Sequence, residues 1–344
     1  MVKTKFIIVG ILIVTSFLSC KHSPKMALIH EANSFASVLD STAASIQIID
    51  DIGDDFFENI SALDMSIQMK NDEFLTDRNQ CLVKYKKYLQ TQTRSFSQKE
   101  KAYIESVLPM VETLISNINP ELLIKSNIAK ISTNHYGNDV YYTRNNTIFI
   151  PENVLIKRDS NNLRNVLIHE MFHIISRNQP ILKEKLYGLI GFKKCKNEAI
   201  LPQILQEILL SNPDGPNMDY YITLKSPDTK TEVNAMPLIT TNTPNYESDK
   251  SGIFSYLTFD LFAYEVTTDS LYSTKTGKTT IDPSYMQSFF NQIKDNTQYI
   301  IHPDEIMADN FLIACQMTED SEMKLSQEGK QLLDKVIFTL SQFK

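Results

Sequence analysis

Apolar positions fall into four regimes along the chain. An unbroken apolar run from Phe6 to Val14 follows Lys3 and Lys5 and leads through small residues to Cys20. From Met26 to about Leu123 apolar residues recur at mixed spacings of three and four, the period of amphipathic helices. Within that region SQKEKAYIESVLPMVETLIS opens on a Ser97/Glu100 capping box, and Pro120 closes it. Between Ile124 and Ile150 the period drops to two, so NIAKIST, NDVYYT and NTIFI predict strands, with TRNN as a turn. RDSNNLRNVLIHEMFHIISR then predicts a helix, with Ser160 as N-cap and Pro180 just past its end. ILKEKLYGLIGF predicts another, stopped near Gly191. Residues from Ser211 to about Gly277 read as mixed and loop-rich, with NPDGP and NTPN as turn signals. DPSYMQSFFNQIKDN, HPDEIMADNFLIACQM and SQEGKQLLDKVIFTLSQF return to helical spacing.

This order predicts an α+β chain, mostly helical, with a small antiparallel or mixed sheet before the helix at Ser160. It divides into an N-terminal leader 1–19, a tether 20–25, a helical region 26–123, and a domain 124–344 with a large insertion at about 190–300.

The leader has a positive start, a short apolar stretch and a processing site. FLSC resembles a bacterial lipobox, which implies a diacylated Cys20 and an extracytoplasmic protein anchored to a bacterial membrane through lipid, on the periplasmic side or the cell surface. Leu18 stands two residues before the cysteine rather than three, and an ordinary signal peptide is the alternative. The formal charge of −7 becomes −9 on removal of Lys3 and Lys5 with the leader (32 − 41). With no basic cluster, that balance argues against a nucleic-acid partner. Cys81, Cys195 and Cys315 are widely spaced and suggest neither a disulfide framework nor a cysteine-based metal site.

One short stretch carries candidate chemistry. His169-Glu170-Met171-Phe172-His173 matches H-E-x-x-H. Two histidines four apart share a helix face, about 6 Å apart along the axis, so both imidazoles can reach one ion. Glu170 lies beside that face, where a carboxylate can take a proton from a water that zinc has acidified and hand it to a leaving amine. Such a match arises by chance in roughly one per cent of chains this long. Here the surrounding Leu163, Val166, Leu167, Met171, Ile174 and Ile175 predict a largely buried helix, and buried histidines need partners or a metal.

A catalytic zinc needs a third protein ligand. A glutamate on a second helix can supply it, with an aspartate one turn on to orient a ligand histidine. Three E-x-x-x-D frames occur: Glu73/Asp77, Glu265/Asp269 and Glu305/Asp309. The EVTTD frame is rich in β-branched residues and suits a strand or turn. HPDEIMADNF has a proline for the first helical position and acids in the first turn, so Glu305 is expected as ligand and Asp309 as its support.

These two motifs resemble the gluzincin branch of zinc metallopeptidases, the thermolysin-like clan. EIMAD is similar to the E-x-x-A-D form found in integral-membrane CAAX-protease-type members. The resemblance implies a zincin-like fold, one Zn²⁺, Glu170 as general base, and hydrolysis of peptide or protein substrates. About 130 residues separate His173 from Glu305, far more than in thermolysin-like enzymes, and the long apolar spans of the membrane members are missing. NTIFIP invites comparison with the edge strand on which zincins lay a substrate, an interior strand being the alternative. Tyr299 or His302 is a candidate oxyanion donor. SNPDGP, residues 211–216, is a turn or a rim loop. A non-enzymatic lipoprotein that uses such a scaffold to bind a partner is the competing reading.

Overall fold

The computed structural model describes residues 34–73, 76–250, 252–317 and 325–344. The leader, the tether and Cys20 lie outside the described residues.

The chain is α+β, with two sheets. The first holds β1 (Ala36–Val38), β2 (Thr93–Arg94), β3 (Ser126–Ile131), β4 (Tyr142–Arg144) and β5 (Thr147–Pro151). Its order is β1-β3-β5-β4, with β2 alongside β3. β1 and β5 run parallel to β3, while β4 and β2 are antiparallel to their neighbours, so the sheet is mixed. Asn145 takes a left-handed backbone (φ 48°) in the hairpin between β4 and β5, as the TRNN signal implied. The strand expected from Asn138 begins only at Tyr142, because Gly137 (φ 122°) and Asp139 (φ 59°) turn the backbone first.

The boundary expected at residue 123 is absent. The region before it is not purely helical, since it supplies β1 and β2 to the sheet around β3. Its long helix, Gln98–Ile118, carries the Ser97/Glu100 capping box. Through Ile104, Val107, Val111 and Ile115 that helix enters the same core as the H-E-x-x-H helix. Residues Ser34–Lys344 form one compact unit. Periodicity reports each element's own buried face and cannot say which neighbour covers it.

The motif helix spans Ser160–Asn178. Its cap is Asp159 rather than Ser160: the carboxylate accepts from the backbone N–H groups of Asn161 and Asn162. Pro180 starts the next helix, Pro180–Leu189, where its fixed φ suits the first position. The ligand helix, Pro303–Gln316, starts at Pro303 with Asp304 and Glu305 in its first turn. The motif and ligand helices pack on each other, with the buried rings of Phe172 and Phe311 5.6 Å apart. Truncating either ring costs about 3–5 kcal/mol, so the crossing is firmly held.

The insertion is a second sheet that its turn-rich sequence had masked. β6 (Phe192–Lys194), β7 (Tyr220–Lys225), β8 (Glu232–Thr241), β9 (Leu257–Glu265) and β10 (Ser270–Tyr272) form an antiparallel array in the order β10-β9-β8-β7-β6. β7 pairs with β8 only from Glu232 to Ala235. Beyond that point, on the flank where Pro237 sits, the segment from Leu209 runs beside β8, and Leu210 N donates to Ile239 O (3.0 Å). This contact delivers the 211–216 loop to the crossing of the two helices. Cys81, Cys195 and Cys315 are free and buried.

Candidate metal centre

The four-residue spacing on the motif helix stacks the rings of His169 and His173, with centroids 4.9 Å apart. Both Nε2 atoms face one oxygen of the ligand helix. Glu305 Oε2 lies 3.1 Å from His169 Nε2 and 3.5 Å from His173 Nε2. His173 and Glu305 are each 1% exposed. The other glutamate oxygen, Oε1, accepts a hydrogen bond from Asn212 Nδ2 (2.7 Å).

Each ring is oriented from behind by a carboxylate. Asp309 Oδ1 is 3.0 Å from His169 Nδ1, one helical turn beyond Glu305 as the E-x-x-x-D spacing implied. Asp309 also accepts from Thr297 Oγ1. Asp304 Oδ2 is 2.7 Å from His173 Nδ1 and 3.1 Å from Ser176 Oγ, while Oδ1 accepts from Tyr187 OH. Burial would raise the Asp304 carboxyl, but the hydrogen bond and charge of His173 override it and bring it down to about 2. Burial likewise disfavours a charged His169, yet Asp309 and Glu305 outweigh it and raise the ring to about 10. Without a metal ion, protons therefore hold this cluster together.

Two buried atoms at the centre have no hydrogen-bond partner: His173 Nε2 and Glu170 Oε2. A buried polar atom without a partner is costly, so the pair marks a place for a guest. Burial first, then the nearby Asp214 carboxylate, pushes Glu170 up to about 8. Two groups of side chains can converge on one ion: His169, Glu170 and His173, and His173, Asp214 and Glu305, with ligand atoms of each group mutually within 4.8 Å. Imidazole and carboxylate donors in a buried cluster fit a divalent metal ion. These side chains can bind a metal.

The remaining frames lie elsewhere in the fold. Asp77 caps the helix Arg78–Gln92, and Glu73 precedes it in a turn. Glu265 ends β9, and Asp269 (φ 51°) lies in the turn to β10. Tyr299 is part-exposed, with its ring stacked 6.3 Å from that of His169. His302 stands at the start of the ligand helix. Its Nδ1 accepts from Asp304 N (3.1 Å) and caps the ligand helix, and burial lowers the ring to about 4. β5 is interior, between β3 and β4, so the sheet edge beside the motif helix is β4.

Asp304, Asn212 and Asp214 belong to the centre and were not singled out by sequence. Asp304 had a signal, since it adjoins Glu305 in the same helix start. The 211–216 loop had only a turn signature, and nothing local to it specifies that β8 carries it to Glu305. Comparison with family models, with curated proteins and with solved structures finds no match to this chain.

Proposed function

We propose that the chain is a zinc metallopeptidase of gluzincin type on a zincin-like fold, lipid-anchored through Cys20 and acting on peptide or protein substrates outside the cytoplasm. The observation that carries the reading is the meeting of His169 Nε2, His173 Nε2 and Glu305 Oε2 beside the unpartnered Glu170 Oε2. Two imidazoles and one carboxylate are the ligand set of one common class of catalytic zinc site, and the set suits zinc better than magnesium or calcium, which prefer oxygen donors.

Zinc held by these three side chains supplies an acidified water and a polarised carbonyl. The chain supplies the rest. Asp309 and Asp304 accept from the two Nδ1–H groups and so leave both Nε2 lone pairs facing the metal. Asn212 occupies Glu305 Oε1 and leaves Oε2 for coordination. Glu170 Oε2 takes the proton from the attacking water and passes it to the departing amine nitrogen. A carboxyl raised by burial is suited to both halves of that transfer.

Glu170→Gln separates catalysis from metal binding. The variant is expected to retain one zinc per chain and lose nearly all cleavage of an unstructured peptide panel read by mass spectrometry. Equal cleavage by variant and parent removes Glu170 as base. Zinc binding without cleavage by either points to a partner-binding lipoprotein.

A further inference from the structure

The centre contains a fourth candidate donor that also reaches the sheet edge. The 211–216 loop is pinned where it leaves β8, with Ser211 N donating to Asp64 Oδ2 (2.8 Å). Inside the loop Asn212 Oδ1 accepts from Asp214 N (3.1 Å), while its Nδ2 holds Glu305. The result is a buried Asp214 carboxylate whose oxygen groups with His173 and Glu305. Asp214 Oδ1 accepts from both Thr143 N (2.6 Å) and Thr143 Oγ1 (2.8 Å), which leaves Oδ2 for another partner.

Thr143 is the middle residue of β4, the edge strand. Its N–H points away from β5, toward Asp214. An extended peptide that adds to this edge needs that donor. A catalytic metal also needs one coordination position without a protein ligand. Asp214 stands at both places. Asp214 and Glu305 are two buried carboxylates whose oxygens lie within 4.8 Å of each other and of a ring nitrogen of His173, whose Nε2 has no hydrogen-bond partner. A cation resolves that crowding of negative charge better than water does.

We propose that Asp214 is a fourth protein ligand of this metal and that, by also covering the Thr143 N–H, it holds the site latent until the 211–216 loop withdraws. The inference rests on the metallopeptidase reading. On its far side the loop borders a small cavity lined by Leu209, Gly215, Met218, Leu238 and His302, with Gly215 close against the His302 ring. Withdrawal frees the coordination position and the strand edge in one movement.

The test uses the full chain with Asp214→Asn, whose amide oxygen still accepts from Thr143 but is a poor ligand, and Asp214→Ala as a second variant. Cobalt is the probe metal, read by its visible spectrum, and zinc affinity is read by competitive titration. Both variants are expected to show a changed cobalt spectrum as solvent enters, and zinc affinity lower by ~10-fold or more, at least the loss typical of outer-shell partners. At saturating zinc, peptide cleavage by Asp214→Ala should rise ~10-fold or more, the inverse of a minor open population, while Asp214→Asn, which still covers the Thr143 N–H, should rise less. Unchanged spectrum and affinity overturn Asp214 as a ligand. Changed metal readouts with equal cleavage by parent and Asp214→Ala overturn latency. Changed metal readouts with no cleavage by any form uphold the ligand and sink the peptidase reading instead.

Discussion

Asp304 Oδ2 stands 2.7 Å from Nδ1 of His173, and both side chains are buried. Its chain neighbour Glu305 faces the opposite nitrogen of the same ring. One helix start therefore provides a candidate ligand and, from the adjacent residue, the support of another. Asp304→Asn keeps the shape and removes the charge that favours a strongly donating imidazole. Zinc affinity is expected to fall ~10- to 100-fold in a competitive titration, with the fold intact by circular dichroism. Unchanged affinity would reduce the contact to packing.

The third ligand separates two glutamates with the same sequence frame. Glu305→Ala, like His169→Ala and His173→Ala, is expected to lose most zinc, because two donors hold a catalytic ion poorly. Glu265→Ala should leave affinity unchanged, since the Glu265 side chain accepts from nearby Thr267 at the end of β9. Metal content after zinc loading and dialysis decides. Retention by Glu305→Ala with loss by Glu265→Ala would reverse the assignment.

His135 makes stability depend on acid. Its ring packs against Tyr136 at 4.2 Å, and its Nδ1 has no partner. Burial lowers it from 6.5 to about 3. The folded chain keeps the ring neutral down to about pH 3, while the unfolded chain takes up a proton below about 6.5. Stability from this group is complete above pH 6.5 and is lost as pH falls toward 3. Between pH 7 and 4.5 the parent should lose ~2 to 3 kcal/mol more than His135→Phe, measured by urea unfolding. Parallel pH curves for the two proteins would show that the ring is not titrating.

Cys20→Ser tests the anchor. Among the described residues no helix is long and apolar enough to cross a membrane. The variant is expected to move from the membrane fraction to the soluble fraction and to lose globomycin-sensitive processing. Unchanged membrane association would place the anchor elsewhere.

What was legible in sequence follows from what is local. H-E-x-x-H and the E-x-x-x-D frame each sit within about one helical turn, so spacing alone brings His169 and His173, or Glu305 and Asp309, to one face. Helix-start chemistry at Pro303 pointed to the frame whose glutamate the structure brings beside the two histidines. The second sheet was hidden because Pro237, a residue that argues against a strand, sits inside β8 and turn residues crowd its connections. Asp214 and Asn212 were hidden because their place depends on β8 carrying a loop across the fold. His302 was singled out by residue type and place, and the structure puts its Nδ1 on the helix cap as acceptor, which leaves Nε2 as the ring's N–H.

The hydrogen bonds that join the motif helix to the ligand helix span 128 to 151 residues of chain. Between them lies a whole antiparallel sheet. Contacts so distant in sequence form after local ones, because the intervening loop must first be closed. During synthesis the H-E-x-x-H helix emerges long before its third ligand, with two histidines and no Glu305 beside them. A nascent or truncated chain thus has no assembled centre to charge with metal. Until Glu305 has been made and docked, the two histidines stand without the carboxylate that meets them in the folded chain, so assembly of the centre is tied to closure of the sheet between them.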